Sequence, residues 1–164
     1  MANISKGGYS VSEQNPFFLS WFKGFSNYLN VLVSPERQKL MQHCGKACAD
    51  SFIMQVYKNA WTEAKGDIAA CIRIVLESLS PDVIYEPVEE DGLPSDKCYD
   101  VMYPHCLCEL VNQNYIDTPL QCECSRQGLL YVWESLLGKG NVSVETKKTI
   151  LSGDKCCIFR ITFR

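Results

Sequence analysis

Histidine is nearly absent from this chain. Among 164 residues there are two, His43 and His105, so any Cys–His catalytic pair depends on the fold bringing distant positions together. An excess of basic charge is missing as well. Sixteen Lys and Arg stand against 19 Asp and Glu, for a net charge of −3 and a pI near 5.4. Binding a polyanion needs Lys and Arg massed on one face, so nucleic acid is not an expected partner. Long apolar runs are lacking too. The segment Met1 to Asn15 is polar, and the stretch from Phe17 to Val33 is interrupted by Lys23, Asn27 and Asn30. Neither a signal peptide nor a membrane span is read, and a cytoplasmic location is the expectation. No internal repeat, linker, low-complexity tract, DNA-binding motif or recognised nucleophile–base motif interrupts the chain.

What is present is an ordinary globular composition, 46% hydrophobic and 21% charged, far from that of disordered chains. The length suits one core, so residues 1–164 are read as a single domain, with 1–15 as a flexible N-terminal segment. From Pro16, residues Phe17, Phe18, Trp21, Phe22, Phe25, Tyr28, Leu29 and Leu32 recur at helical spacing. Ser34 reads as an N-cap with Pro35 at the first helical position. Gly45 is a place to end or kink that second helix, and helical spacing resumes from Cys48 to Trp61. Gly66–Asp67 recaps the chain before Ile68 to Leu79. Beyond Ser80–Pro81, two runs of strand formers around Glu89-Glu90-Asp91-Gly92 predict a hairpin with a mobile tip. Residues 104–121 read as loop, with a helical turn at Glu109 to Val111. Ser125 reads as the cap of a helix ending at Gly138, and a last hairpin buries Cys157, Phe159, Ile161 and Phe163. The expected fold is α+β, with a helical N-terminal half packed on an antiparallel sheet of hairpins and one further helix before the last hairpin.

Ten cysteines are the chemically distinctive feature. In a reducing compartment thiols stay reduced, so they point to metal or redox chemistry ahead of structural disulfides. The steps Cys106-Leu107-Cys108 and Cys122-Glu123-Cys124 each direct two sulfurs to one side of an extended backbone, as a soft cation such as zinc requires. A thiol just ahead of a helix N-terminus meets unpaired N–H groups, which makes Cys122 or Cys124 the candidate thiolate. Metal-binding or reactive thiols are the preferred reading. Inert buried side chains and disulfides are the alternatives. Cys71 reads as core, and Cys44 and Cys48 share a helix face, with Gly45 between them permitting close approach of another backbone. Cys48 and Cys157 are the expected spatial neighbours of the two steps. His105, Glu109 and Glu123 flank the cysteines as candidate ligands or bases, although loop histidines and surface carboxylates are more often simply solvated.

The block from Cys122 to Phe163, with Cys-Glu-Cys-Ser, Val-Ser-Val-Glu and Ile-Leu-Ser-Gly-Asp-Lys-Cys-Cys-Ile-Phe-Arg-Ile, resembles the 4-vinyl reductase-like small-molecule-binding domains. It is also similar to L-2-amino-thiazoline-4-carboxylic acid hydrolase-like proteins. The Gly153–Asp154 turn followed by Cys157 and Phe159 carries most of the likeness. The resemblance implies an α+β sensor holding a hydrophobic or aromatic ligand, in some members with zinc bound by cysteines and a glutamate near the last hairpin. On that pattern Cys122 or Cys124 and Cys157 fall on ligand-like positions and Glu145 near the glutamate. Where those sites carry a further cysteine ahead of the glycine turn, this chain has Thr149 or its neighbours, leaving Cys106 or Cys108 to supply the sulfur.

Two functions follow as expectations. The first is a small-molecule-binding, sensor-like domain with Trp133, Trp21 and Phe22 lining the ligand pocket and Cys106, Cys108, Cys122, Cys124 and Cys157 holding zinc. Its expected partners are the ligand and a second copy of the chain, not nucleic acid or a membrane. The alternative is a hydrolase of a small cyclic or amide C–N bond, acting through a Cys124 or Cys122 thiolate with Glu123 as base, or through metal-activated water.

Overall fold

Caps and prolines set the helix starts. In the computed structural model, which describes residues 15–79, 81–90 and 92–164, the Asn15 side chain accepts the Phe17 N–H. Pro16 then opens α1, Pro16–Val31. All but Asn15 of the expected N-terminal segment 1–15 lies outside the described residues. Helix α2, Ser34–Phe52, starts with Val33 as its N-cap, one residue earlier than the Ser34 cap expected from sequence, and runs unbroken through Gly45. Helix α3, Met54–Glu63, follows after Ile53. Gly66 then takes a φ of 85°, and the Asp67 carboxylate accepts the Ala70 N–H at 2.6 Å to start α4, Ile68–Ser78.

The second half supplies the sheet. Strands β1, Ile84–Glu90, and β2, Leu93–Tyr103, form the expected hairpin. The expectation of a mobile tip falls on Asp91, outside the described residues. After β2 comes the short helix α5, Glu109–Asn112, then a 3-10 turn at Pro119–Gln121 that leads directly into α6, Cys122–Leu137. Ser125 is therefore inside α6 and not its cap, because the 3-10 turn delivers the chain to the helix four residues sooner, with Gln121 at the cap position. Gly138 ends α6 with a φ of 89°. Strands β3, Val142–Lys148, and β4, Cys157–Phe163, complete an antiparallel sheet in the order β1-β2-β4-β3. This is an α+β fold.

Alternation along the strands builds one apolar face, which helices α3, α4 and α6 cover. Tyr85, Val101, Phe159, Ile161, Phe163, Val142 and Val144 meet Tyr57, Val75, Val132 and Trp133 in one continuous core. Within it the Tyr57 and Tyr85 hydroxyls share a 2.6 Å hydrogen bond, which satisfies two groups whose burial would otherwise be costly. The opposite sheet face is polar. Strand register lines up Glu86, Asp100, Arg160 and Glu145 in a row across all four strands. Arg160 makes two 2.8 Å bonds to the Asp100 carboxylate. Replacing Arg160 with Met leaves Asp100 without its cation, with Glu86 and Glu145 in the same row. Urea denaturation should show a loss of about 1 kcal/mol at low ionic strength that shrinks in high salt.

Candidate functional site

Helix α2 crosses α6 at two glycines, and this crossing positions the site. A Cβ built on Gly45 would lie 2.6 Å from both the Cys124 carbonyl oxygen and the Gly128 nitrogen, so the two backbones touch only because neither glycine carries a side chain. Close approach of another backbone is what Gly45 suggests in the sequence; the missed half of the pair is Gly128. The crossing sets Cys44 and Cys48 of α2 beside the first turn of α6, which bears Cys122 and Cys124. The segment between β2 and α5 adds Cys106 and Cys108, and the first residue of β4 adds Cys157.

These seven thiols are electrostatic neighbours. Ionisation of Cys124 would be opposed by Cys44, Cys48, Cys108 and Cys122, and that of Cys122 by Cys157, Cys106 and Cys108. Cys48 also feels Cys108. All five metal-ligand candidates, Cys106, Cys108, Cys122, Cys124 and Cys157, are therefore in one region, joined by the α2 pair. Cys71 is fully buried in the core, and Cys98 faces Thr162 on the opposite side of the sheet. All ten cysteines are free, so the disulfide alternative is not realised.

The expected low-pKa thiolate is not found. Burial pushes the Cys122 thiol up to about 11 and the Cys124 thiol up to about 12, with the neighbouring sulfurs adding to the shift. Burial also raises Cys44, Cys48, Cys106 and Cys157. Desolvation penalises the charged form, and here it outweighs the helix N-terminus. Three contacts pull the other way: the Cys108 N–H on the Cys106 sulfur, the Thr149 hydroxyl against Cys122, and the Ile150 N–H donating to Cys157 Sγ at 3.4 Å. Such donors stabilise a thiolate, including one bound to a cation. Thr149 is buried beside Cys122, where the resemblance implies a sulfur, while its hydroxyl donates to Ser152 Oγ at 2.8 Å and accepts the Ser152 N–H.

The sign of these shifts sets a pH dependence for metal-free protein. A thiol whose folded pKa lies above its unfolded value contributes stability below the unfolded value, and that contribution is lost as pH rises through the folded one. Stability should therefore fall between pH 9 and about 12, the window between the ordinary value and that of Cys124. Urea titrations at stepped pH, with thiolate absorbance followed in parallel, measure it. Thiolate appearing at neutral pH would contradict the burial of the cluster.

Several other candidates have different employment. Glu123 is held by Arg126, which donates from both Nε and Nη2, and by Gln127 at 2.9 Å. Its carboxyl is kept below its ordinary value despite burial, so it is a structural ion pair and not a base poised against Cys122 or Cys124. The spacing Glu-x-x-x-Gln with Arg between was the available signal. Arg126 also donates to the Val144 carbonyl at 2.9 Å, tying α6 to β3. His105 lies 3.5 Å from Asp82, His43 is exposed on α2, and Glu109 accepts from Gln113 at 2.7 Å. Glu145 pairs with Lys147 on the polar sheet face, away from the face that carries Cys157.

The three expected pocket residues are not brought together. Trp133 is fully buried, in edge contact with Tyr57 and Phe163, whereas Trp21 is 57% exposed on α1 and Phe22 sits beside it. The cleft that the structure forms beside α1 has a mixed lining, with Leu19, Val111 and Ile116 among its polar side chains. It measures about 770 Å³, between α1 and residues 111–118, and is lined by Lys23, Ser26, Asn27, Asn30, Asn114 and Thr118 among others. That volume is within the range of small-molecule sites. The sequence signal was the polar set Lys23, Asn27 and Asn30, at helical spacing within an otherwise aromatic helix.

The donor set suits a soft cation in kind, being sulfur supported by N–H and O–H donors. Among the described residues, no three His, Cys, Asp or Glu side chains are placed to grip one ion as they stand. Also among them, no helix is long and apolar enough to cross a membrane. No protein-family model and no curated protein matches the chain, so the sulfur cluster and the neighbouring cleft are what bear on its function.

Proposed function

We propose that this protein is a small-molecule-binding, sensor-like domain in which the thiol cluster takes a soft cation, zinc first, and so anchors one wall of the ligand cleft. The observation that carries this reading is the double duty of residues 106–118. The segment contributes Cys106 and Cys108 to the cluster and Val111 and Asn114 to Thr118 to the cleft. Four of Cys106, Cys108, Cys122, Cys124, Cys157 and Cys48 would hold the cation, because zinc is tetrahedral. Bringing their sulfurs onto one ion requires cysteine rotamer changes, each a small cost for an unbranched side chain. Bound zinc would supply a fixed positive centre that deprotonates its thiols, which otherwise stay neutral. The chain's own residues then orient the sulfurs through the Cys108 and Ile150 N–H groups and position the cleft wall. The C–N hydrolase reading draws no support from thiols pushed upward in pKa or from a Glu123 committed to Arg126.

Hydrogen exchange with and without added zinc tests the link. Metal should slow exchange of the amides in 106–118 at least tenfold, an effect of about 1.4 kcal/mol or more. Protein purified without added metal should carry about one zinc per chain with about four thiols shielded from alkylation. Cluster thiols unshielded, no metal retained and exchange unchanged would sink the proposal.

A further inference from the structure

Helix α1 shows two faces. One, with buried Ser26 and Leu29 and with Phe18 and Phe22 against Tyr115, holds it to the body. The other bears Phe17, Trp21, Tyr28 and Val31, which are 68%, 57%, 55% and 74% exposed. Gly24 completes this row, and a Cβ there would meet nothing within 4 Å. The spacing 17, 21, 24, 28, 31 alternates four and three residues, the heptad seam by which one helix packs along another.

We propose that this stripe is a homodimer interface in which α1 pairs antiparallel with α1 of a second copy of the chain. In an antiparallel pair each a position meets a d position of the partner helix. Here that register sets Trp21 over the second copy's Gly24, and Phe17 over its Tyr28, each pairing occurring twice about the two-fold axis. The largest side chain of the stripe thus meets the smallest. A notch of about 230 Å³ lined by Phe17, Phe18, Trp21 and Phe22 is open to receive the incoming ring. Charge argues for the same occupant. Lys23 is the one charged residue of α1, so two copies bring little repulsion into contact, whereas helices that lie on membranes carry Lys and Arg along their polar face. Exposed area on Phe17, Trp21, Tyr28 and Val31 is roughly 500 Å² per copy. A pair would bury about 1,000 Å², the size from which a specific interface begins. The interface is separate from the cation site and stands whether or not the thiols bind metal.

The test is the mass of the full chain by light scattering and sedimentation from about 1 to 100 μM, with two variants. Wild type should reach twice the 18.6 kDa chain mass. Trp21→Lys should weaken dimerisation by about 30-fold or more. Gly24→Trp should weaken it comparably although it adds apolar surface, because it fills the slot that the second copy's Trp21 needs. Both positions are exposed in the monomer, so far-UV melts of the dilute variants should match wild type. A wild type that stays at single-chain mass overturns the proposal. So does a dimer that survives both variants, or a Gly24→Trp variant that associates more tightly than wild type, which would mark nonspecific stickiness. Sedimentation of monomeric wild type with lipid vesicles would overturn it in favour of a membrane.

Discussion

Trp133→Ala should destabilise the protein by about 3–5 kcal/mol, a large share of the roughly 5–15 kcal/mol that holds a domain folded. Trp133 is fully buried at the junction of α6 with α3 and β4, its ring in edge contact with Tyr57 at 5.5 Å and Phe163 at 4.9 Å. Alanine would leave a cavity bounded by a regular sheet and helices that cannot collapse into it. Its indole Nε1 lies near the Tyr85 hydroxyl without closing a normal hydrogen bond, so the loss is one of packing, not of a polar link. Trp21→Ala, on the exposed stripe of α1, should change monomer stability by no more than about 0.5 kcal/mol. Urea unfolding followed by circular dichroism at low protein concentration separates the two. Equal stabilities would mean that Trp133 is not the centre of the core.

Gly45→Ala should cost about 3 kcal/mol and weaken the proposed cation binding. Helix propensity alone argues for the opposite sign, because alanine in a helix interior is favoured over glycine by about 1 kcal/mol. The added Cβ would lie 2.6 Å from two backbone atoms of α6 and 3.1 Å from a third. Backbone cannot rotate away as a side-chain end can, so the helices must separate, and overpacking of this kind outweighs propensity. Because α2 carries Cys44 and Cys48 and α6 carries Cys122 and Cys124, the same displacement opens the thiol cluster. Gly128→Ala, whose Cβ would come no closer than 3.3 Å to the Gly45 carbonyl oxygen, should have a milder effect. Gly45→Ala with wild-type stability would show that the crossing is looser than described.

Much of this architecture was legible from residue spacing. The alternation of Cys157, Phe159, Ile161 and Phe163 placed β4 and its buried face correctly, and Asp67 and Pro16 marked helix starts by their chemistry. The start of α6 was misplaced because a 3-10 turn has no periodicity of its own and Ser125 resembled a cap. Trp133 belongs to the core and not to a pocket, a distinction that helical spacing does not make, because it tells which face is apolar and not what covers it. The same ambiguity hid the exposed stripe of α1. For the thiols, the paired steps with Cys48 and Cys157 are readable in sequence, but the addition of Cys44 depends on a crossing of two helices whose glycines lie far apart in the chain. Their protonation was misjudged for a related reason: a helix N-terminus can be read in sequence, whereas burial by a distant helix cannot.

Cobalt(II) titration of reduced, metal-free protein shows whether the convergent thiols form one site for a soft cation, by the absorbance of thiolate-to-cobalt charge transfer. Wild type and Cys71→Ser, whose thiol is buried apart from the cluster, should saturate at about one equivalent, whereas Cys108→Ser should bind roughly 10- to 100-fold more weakly. Absence of a charge-transfer band in wild type, with the thiols still fully titratable, would contradict the account.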